Sequence, residues 1–171
     1  VTVVGIGIDV VDVPSFAAQL ADHASGFVAG TFTAGEIRAA ADHGGAGDAT
    51  ADSRPREHAA RRDARLAARF AAKEAFVKAW SASRRGRPPA LGAVDLRWIE
   101  VVDDGFGRPG LRLHGPVADA LRDLGDPAVH LTMSHDGPVA TAMVVLDREP
   151  PAAPSSPRAD VPGMQRRPPK R

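Results

Sequence analysis

Residues 58–82 read HAARRDARLAARFAAKEAFVKAWSA, and they decide the fold. Alanine, arginine, leucine and lysine favour helix, no glycine or proline interrupts, and apolar residues recur at helical spacing. The run therefore predicts one long helix, the spine of the domain. Leu66, Phe70, Glu74 and Val77 are separated by four, four and three residues, which places them on one face. Glu74 breaks that apolar stripe. A carboxylate buried alone is costly, so it must find a cation, a hydrogen bond or a cleft. Two readings stand: an internal ion pair, for instance with Lys78 at i+4, or a functional site.

Working outward, VVGIGI at residues 3–8 is a short unbroken apolar run suited to a buried strand, and it predicts a strand end at Asp9. Pro14 opens a helix that continues through Phe16 and Leu20 to about His23. Thr33 and Glu36 have the spacing of a capping box and start another short helix. Residues 42–57, glycine-rich, polar and without periodicity, read as a mobile loop. Past the long helix, residues 84–89 break the pattern and Val94 to Val102 alternates like a strand. Asp103, Asp104, Gly105 and Gly107 supply a turn, and Leu111 to His114 returns as a strand. Val117 to Leu124 reads as a short helix stopped by Gly125, and Val129 to Ser134 as another strand. A turn at Asp136 and Gly137 and a strand from Val139 to Leu146 complete a hairpin. Antiparallel strands around one long helix and several shorter ones predict an α+β domain, because the order is not the repeating unit of a parallel sheet.

The chain has 171 residues, 43% of them apolar, which suits one domain with a real core. Cysteine is absent, which excludes disulfides, thiolate metal sites and cysteine nucleophiles. The chain opens on a strand-like run without signal-peptide character, and no apolar run is long enough to cross a bilayer. The expectation is a cytoplasmic protein with no membrane association. The net charge of +1 conceals a division. Residues 148–171 hold six basic residues against Glu149 and Asp160, so the rest carries −3. That tail also has seven prolines, too rich in proline and charge to pack. The division expected is a domain at 1–147 and a disordered basic tail at 148–171. A nucleic-acid role would rest on the tail alone, and none is expected.

Asp9 closes a strand that must pack on the same core as the long helix, so two carboxylates can meet. Such a pair suits Mg²⁺, which keeps waters and completes its shell with substrate phosphates. The competing reading makes Asp9 a cap or turn residue after a strand. Arg69, Lys73, Phe76 and Trp80 occupy the face adjoining Glu74, bringing cations beside the acids, as a polyphosphate site requires. Arg61, Arg62 and Arg65 extend the positive surface, either as a solvated face or as a surface for an acidic protein partner. His135 lies at a strand tip, open to phosphate binding, proton transfer or a structural role. GIG at 5–7 lacks the later glycine of a dinucleotide fingerprint.

Together these segments resemble the holo-acyl-carrier-protein synthases, the short trimeric members of the 4′-phosphopantetheinyl transferase superfamily. GIGID at 5–9, RFAAKEAFVKAW at 69–80 and LTMSH at 131–135 are similar to that family's three motifs, and FTAGE at 32–36 and GRP at 107–109 fall in matching places. The resemblance implies the 4′-phosphopantetheinyl transferase fold and transfer of the phosphopantetheine arm of coenzyme A to a serine of an apo acyl carrier protein, or of a carrier domain in a fatty acid synthase. It implies Mg²⁺ on Asp9 and Glu74. Arg69, Lys73 and Lys78 would contact coenzyme A phosphates, with Lys78 offsetting charge on the leaving group. His135 would line the nucleotide end of the cleft beside Ser134, and the site would lie between subunits of a homotrimer. The family often has an arginine where this chain has Ser15, which shifts the expected carrier contact toward the Arg61 to Arg69 face.

In the implied reaction the serine hydroxyl attacks the β-phosphorus of coenzyme A and releases adenosine 3′,5′-bisphosphate, with Asp9, Glu74 and Lys78 as the catalytic set. Metal and lysines would stabilise the developing charge, and a water held at Glu74 would take the proton. Two rivals share parts of this pattern. A magnesium-dependent nucleotide pyrophosphatase would use the same acids with water as acceptor, and a nucleic-acid-binding protein would depend on the tail.

Overall fold

The computed structural model describes residues 2–42 and 55–148. Strand β1 (Thr2–Asp12) leads into α1 (Val13–Ala21), α2 (Phe27–Thr31) and α3 (Ala34–Asp42), and the long helix α4 spans Pro55–Ser83. Then come β2 (Ile99–Asp103), β3 (Pro109–Leu113), α5 (Gly115–Asp123), β4 (Ala128–Asp136) and β5 (Val139–Arg148). Strands β1, β5 and β4, in that order, form an antiparallel sheet, and β2 pairs with β3 in a separate hairpin. The α+β architecture, with antiparallel strands around one long helix, is the one expected. Of the expected loop and tail, residues 43–54 and 149–171 lie outside the described residues. Strand β5 runs through Arg148, the first residue assigned to the tail.

Helix α4 sits on the sheet because β1 offers it glycines. A Cβ added at Gly5 would lie 2.2 Å from the Ala79 carbonyl oxygen, and one at Gly7 only 2.0 Å from that of Ala75. Strand and helix backbones therefore approach more closely than any side chain permits. On the helix, Ala67, Ala71, Ala72, Ala75 and Ala79 are buried in several directions, since α1, α3 and β2 also pack on it. The expected single apolar stripe is thus too narrow a description. Phe16 gathers Phe27, Phe32 and Phe70 at ring-centroid distances of 5.3 to 6.4 Å, which ties α1 and α2 to α4.

Two local expectations need correction. Asp9 does not end its strand: β1 pairs with β5 on through Asp12, with Asp9 opposite Ala142. The turn residue is Asp12, whose Oδ1 accepts the Ser15 N–H at 2.9 Å and caps α1. The strand expected from Val94 starts only at Ile99. Asp95 Oδ1 accepts the Arg97 N–H at 2.9 Å, and this closes a single 3₁₀ turn at Leu96–Trp98. The capping box of α3 forms as read, with Thr33 N–H donating to Glu36 Oε2 at 2.8 Å and Glu36 N–H to Thr33 Oγ1 at 3.2 Å.

Candidate functional site

Along β1 the inward positions are Gly5, Gly7, Asp9 and Val11. The two glycines bring α4 down on the strand, so the first inward side chain beyond them, Asp9, meets the helix at Glu74 and Lys78. Lys78 Nζ donates to Asp9 Oδ1 at 2.7 Å and to the Ile8 carbonyl at 3.2 Å, while Thr141 Oγ1 donates to the Asp9 carbonyl at 2.9 Å. Glu74 is half-buried, and its carboxylate forms no hydrogen bond among the described residues. Burial, and then the negative charge of Asp9, push its carboxyl above the ordinary glutamate value, and Lys78 partly offsets this. The internal ion pair considered for Glu74 is therefore made by Asp9 instead. Two carboxylates that repel one another beside a single half-exposed lysine are a donor set that a hard divalent cation relieves. No cluster of three or more metal-ligating side chains occurs among the described residues, so such a cation would need oxygens from water or substrate.

A second group lies across the helix. Arg69 is 4% exposed, its guanidinium holds Asp103 Oδ2 at 2.8 Å, and its Nε is buried without a hydrogen-bond partner among the described residues. Arg65, Arg69, Asp103, Gly107, Ser134 and His135 line a cleft of about 330 Å³ there. Arg65 has its proton affinity lowered by burial and then by the charges of Arg69 and Arg61, so positive charge is crowded at this place. Two guanidinium groups, a hydroxyl and an imidazole around an open cleft form an anion-binding set.

The two groups face away from each other. At 100° per residue, Arg69 is turned about 140° from Glu74 around the helix, and Arg65 about 180°. In the sheet, Asp9 and Met133 flank Ala142 on opposite sides, which places β1 and β4 at the two edges. Asp9, Glu74 and Lys78 thus form one cluster, and Arg69, Ser134 and His135 line another.

Lys73 joins neither, contrary to its expected contact with coenzyme phosphate. Its side chain is 0% exposed, and its Nζ donates to Glu36 Oε2 and to the Leu96 carbonyl, both at 2.9 Å. The reason is helical phase: one residue before Glu74 the helix faces α3 and β2. Sequence reasoning also passed over Asp103, read as a turn residue, and saw Glu36 only as a cap. A lone buried lysine in the pattern asks for a counter-ion, yet nothing in spacing identifies one 37 residues away.

The chain matches the family described as the 4′-phosphopantetheinyl transferase superfamily over residues 5–132, and it belongs to that family. A relative named holo-[acyl-carrier-protein] synthase, from Mycobacterium sp. (strain KMS), is 43% identical over 145 residues, covering 85% of this chain and 97% of its own. Among solved structures, the ACPS–CoA complex of Chronobacterium ammoniagenes superposes with a TM-score of 0.70 at 38% identity, covering 85% of this chain and 98% of that one. The acyl carrier protein synthase of Mycobacterium tuberculosis gives a TM-score of 0.63 at 36% identity, covering 86% and 100%. The fold is therefore that of these synthases.

Proposed function

We propose that this protein is a holo-acyl-carrier-protein synthase, which transfers the 4′-phosphopantetheine arm of coenzyme A to a serine of an apo acyl carrier protein or carrier domain and so serves fatty acid synthesis. Family membership supports the reaction class. The observation that carries the site assignment is the meeting of Asp9 and Glu74 over the glycine contact of β1, close enough for one charge to raise the other's proton affinity. The relatives named above support neither the pyrophosphatase nor the nucleic-acid reading.

Asp9 and Glu74 would hold Mg²⁺, which when bound supplies positive charge to the pyrophosphate oxygens. Lys78, with its side chain 52% exposed and its amine on Asp9, reaches the same oxygens and offsets charge on the departing phosphate. The carrier serine Oγ forms a bond to the β-phosphorus, the bond from that phosphorus to the bridging oxygen breaks, and adenosine 3′,5′-bisphosphate leaves. Glu74, whose carboxyl is raised by burial and by the charge of Asp9, orients a water that takes the serine proton. Arg69, Ser134 and His135 bind the nucleotide end, and Lys73 has no place in this contact because its amine is wholly buried.

We take the two clusters as half-sites: their separation around α4 supports coenzyme A binding between copies of the chain, with a homotrimer as the working form. The outer sheet face supports this, because Ile6, Ile8 and Val10 are 57%, 57% and 63% exposed and continue across the sheet to Met143. Among the described residues no helix is long and apolar enough to cross a membrane, and the setting we propose is the cytoplasm. The test is mass spectrometry of an apo carrier protein incubated with the protein, Mg²⁺ and coenzyme A. The carrier should gain one phosphopantetheine arm, and Glu74→Gln should lose this activity while remaining folded. Cleavage of coenzyme A at full rate without carrier would instead establish the pyrophosphatase.

A further inference from the structure

The buried pair of Lys73 and Glu36 is more completely connected than a stabilising contact requires. Both side chains are 0% exposed. Lys73 Nζ donates to Glu36 Oε2 and to the Leu96 carbonyl at 2.9 Å each, and it stands 5.5 Å from the centroid of the Phe32 ring. Glu36 Oε2 also accepts the Thr33 N–H at 2.8 Å, and Oε1 accepts the Val101 N–H at 2.9 Å. One carboxylate thus joins the first turn of α3, the middle of α4 and strand β2. Replacing such a pair by apolar groups is often neutral or stabilising, so its net contribution to stability is a weak reason for its presence. An ion pair does supply direction, which an apolar contact lacks.

Direction matters here because of the pair's neighbours. Glu74 follows Lys73 immediately on α4, about 100° around the axis. Asp103 lies two residues beyond Val101 on the same strand and holds Arg69 at 2.8 Å. We propose that Lys73 and Glu36 are positioning residues: they fix the rotation of α4 so that Glu74 faces Asp9, and through Val101 they fix Asp103 against Arg69. One buried contact thereby sets both half-sites. A side chain on a helix ends about 6 Å from the axis, so a rotation of about 10° moves the Glu74 carboxylate by about 1 Å. Misplacements of that size cost about a hundredfold in rate.

The inference rests on the transferase reading, and the experiment separates the two. Purified wild type, Lys73→Met/Glu36→Gln and Glu36→Gln are compared by thermal melting, Mn²⁺ titration calorimetry and steady-state transfer to an apo carrier protein. The double variant removes both charges together and keeps an acceptor oxygen for the Val101 N–H, so no uncompensated charge stays buried. Well below its melting temperature it should bind Mn²⁺ and turn over at least about tenfold less well, with an unchanged KM for the carrier. A folded double variant with Mn²⁺ affinity and kcat within about twofold of wild type overturns the proposal, on the same outer-shell scale. Should the double variant fail to fold, Glu36→Gln alone is read against the same limits. If wild type transfers the arm without binding Mn²⁺, the metal assignment fails, and kcat alone decides the role of the pair.

Discussion

The sharpest consequence of the fold is at Gly7. A methyl group there would stand 2.0 Å from the Ala75 carbonyl oxygen and 2.5 Å from the Ala79 nitrogen. Ordinary contact begins at 3.4 Å, so β1 and α4 must part by about 1.4 Å, and the obstacle is backbone on both sides. Asp9 lies two residues along the strand and Glu74 one residue before Ala75, so the separation opens directly between the two acids. Overpacking of this kind costs about 1–3 kcal/mol or more, which for a domain of this size lowers the melting temperature by several degrees. Displacement of the acids by about 1 Å adds a loss of about a hundredfold in transfer rate in whatever fraction remains folded. Gly7→Ala should therefore be compared with Gly105→Ala, where an added methyl meets nothing within 4 Å. Differential scanning fluorimetry and the carrier-modification assay read the two effects. Equal melting temperature and equal rate for both variants would show that the backbone contact does not hold the acids in place.

Two further outcomes follow from charge and surface. Glu74 is raised above its ordinary 4.5 by burial and by Asp9, so the stability it contributes is full below that value and is lost as pH rises through its folded-state value. Without added metal, Glu74→Gln should raise the melting temperature at pH 7 and leave it unchanged in strong acid, and a lower melting temperature at pH 7 would contradict the assigned environment. Ile8→Asp puts a charge on the outer sheet face opposite Met143. Analytical ultracentrifugation should then show dissociation to monomers, with activity falling because the half-sites separate. A wild-type protein that sediments as an active monomer would refute the shared site.

Much of this was legible from residue order. The long helix, the capping box at Thr33 and Glu36, and the final hairpin are written in propensity and periodicity, which act over a few residues. Two carboxylates bordering one apolar core also mark Asp9 and Glu74 as neighbours, and the charge of Asp9 does act on Glu74. Asp9's location inside the strand was not legible, because an unbroken apolar run does not show how far pairing with a distant strand extends. Nor was the outward direction of Ile6, Ile8 and Val10, since VVGIGI reads as buried whichever face is covered.

What the sequence alone determined, then, is the order of most helices and strands and which chemistries their residues carry. Tertiary structure decided which partner each charge takes. Lys73 and Lys78 differ by five positions on one helix and are alike in type, yet one is sealed against Glu36 and the other lies half-exposed on Asp9. The reason is that helical phase is local, whereas the surfaces meeting each side of α4 come from segments far apart in the chain. A cation's role is set by what stands opposite it, and that is fixed only when the layers pack.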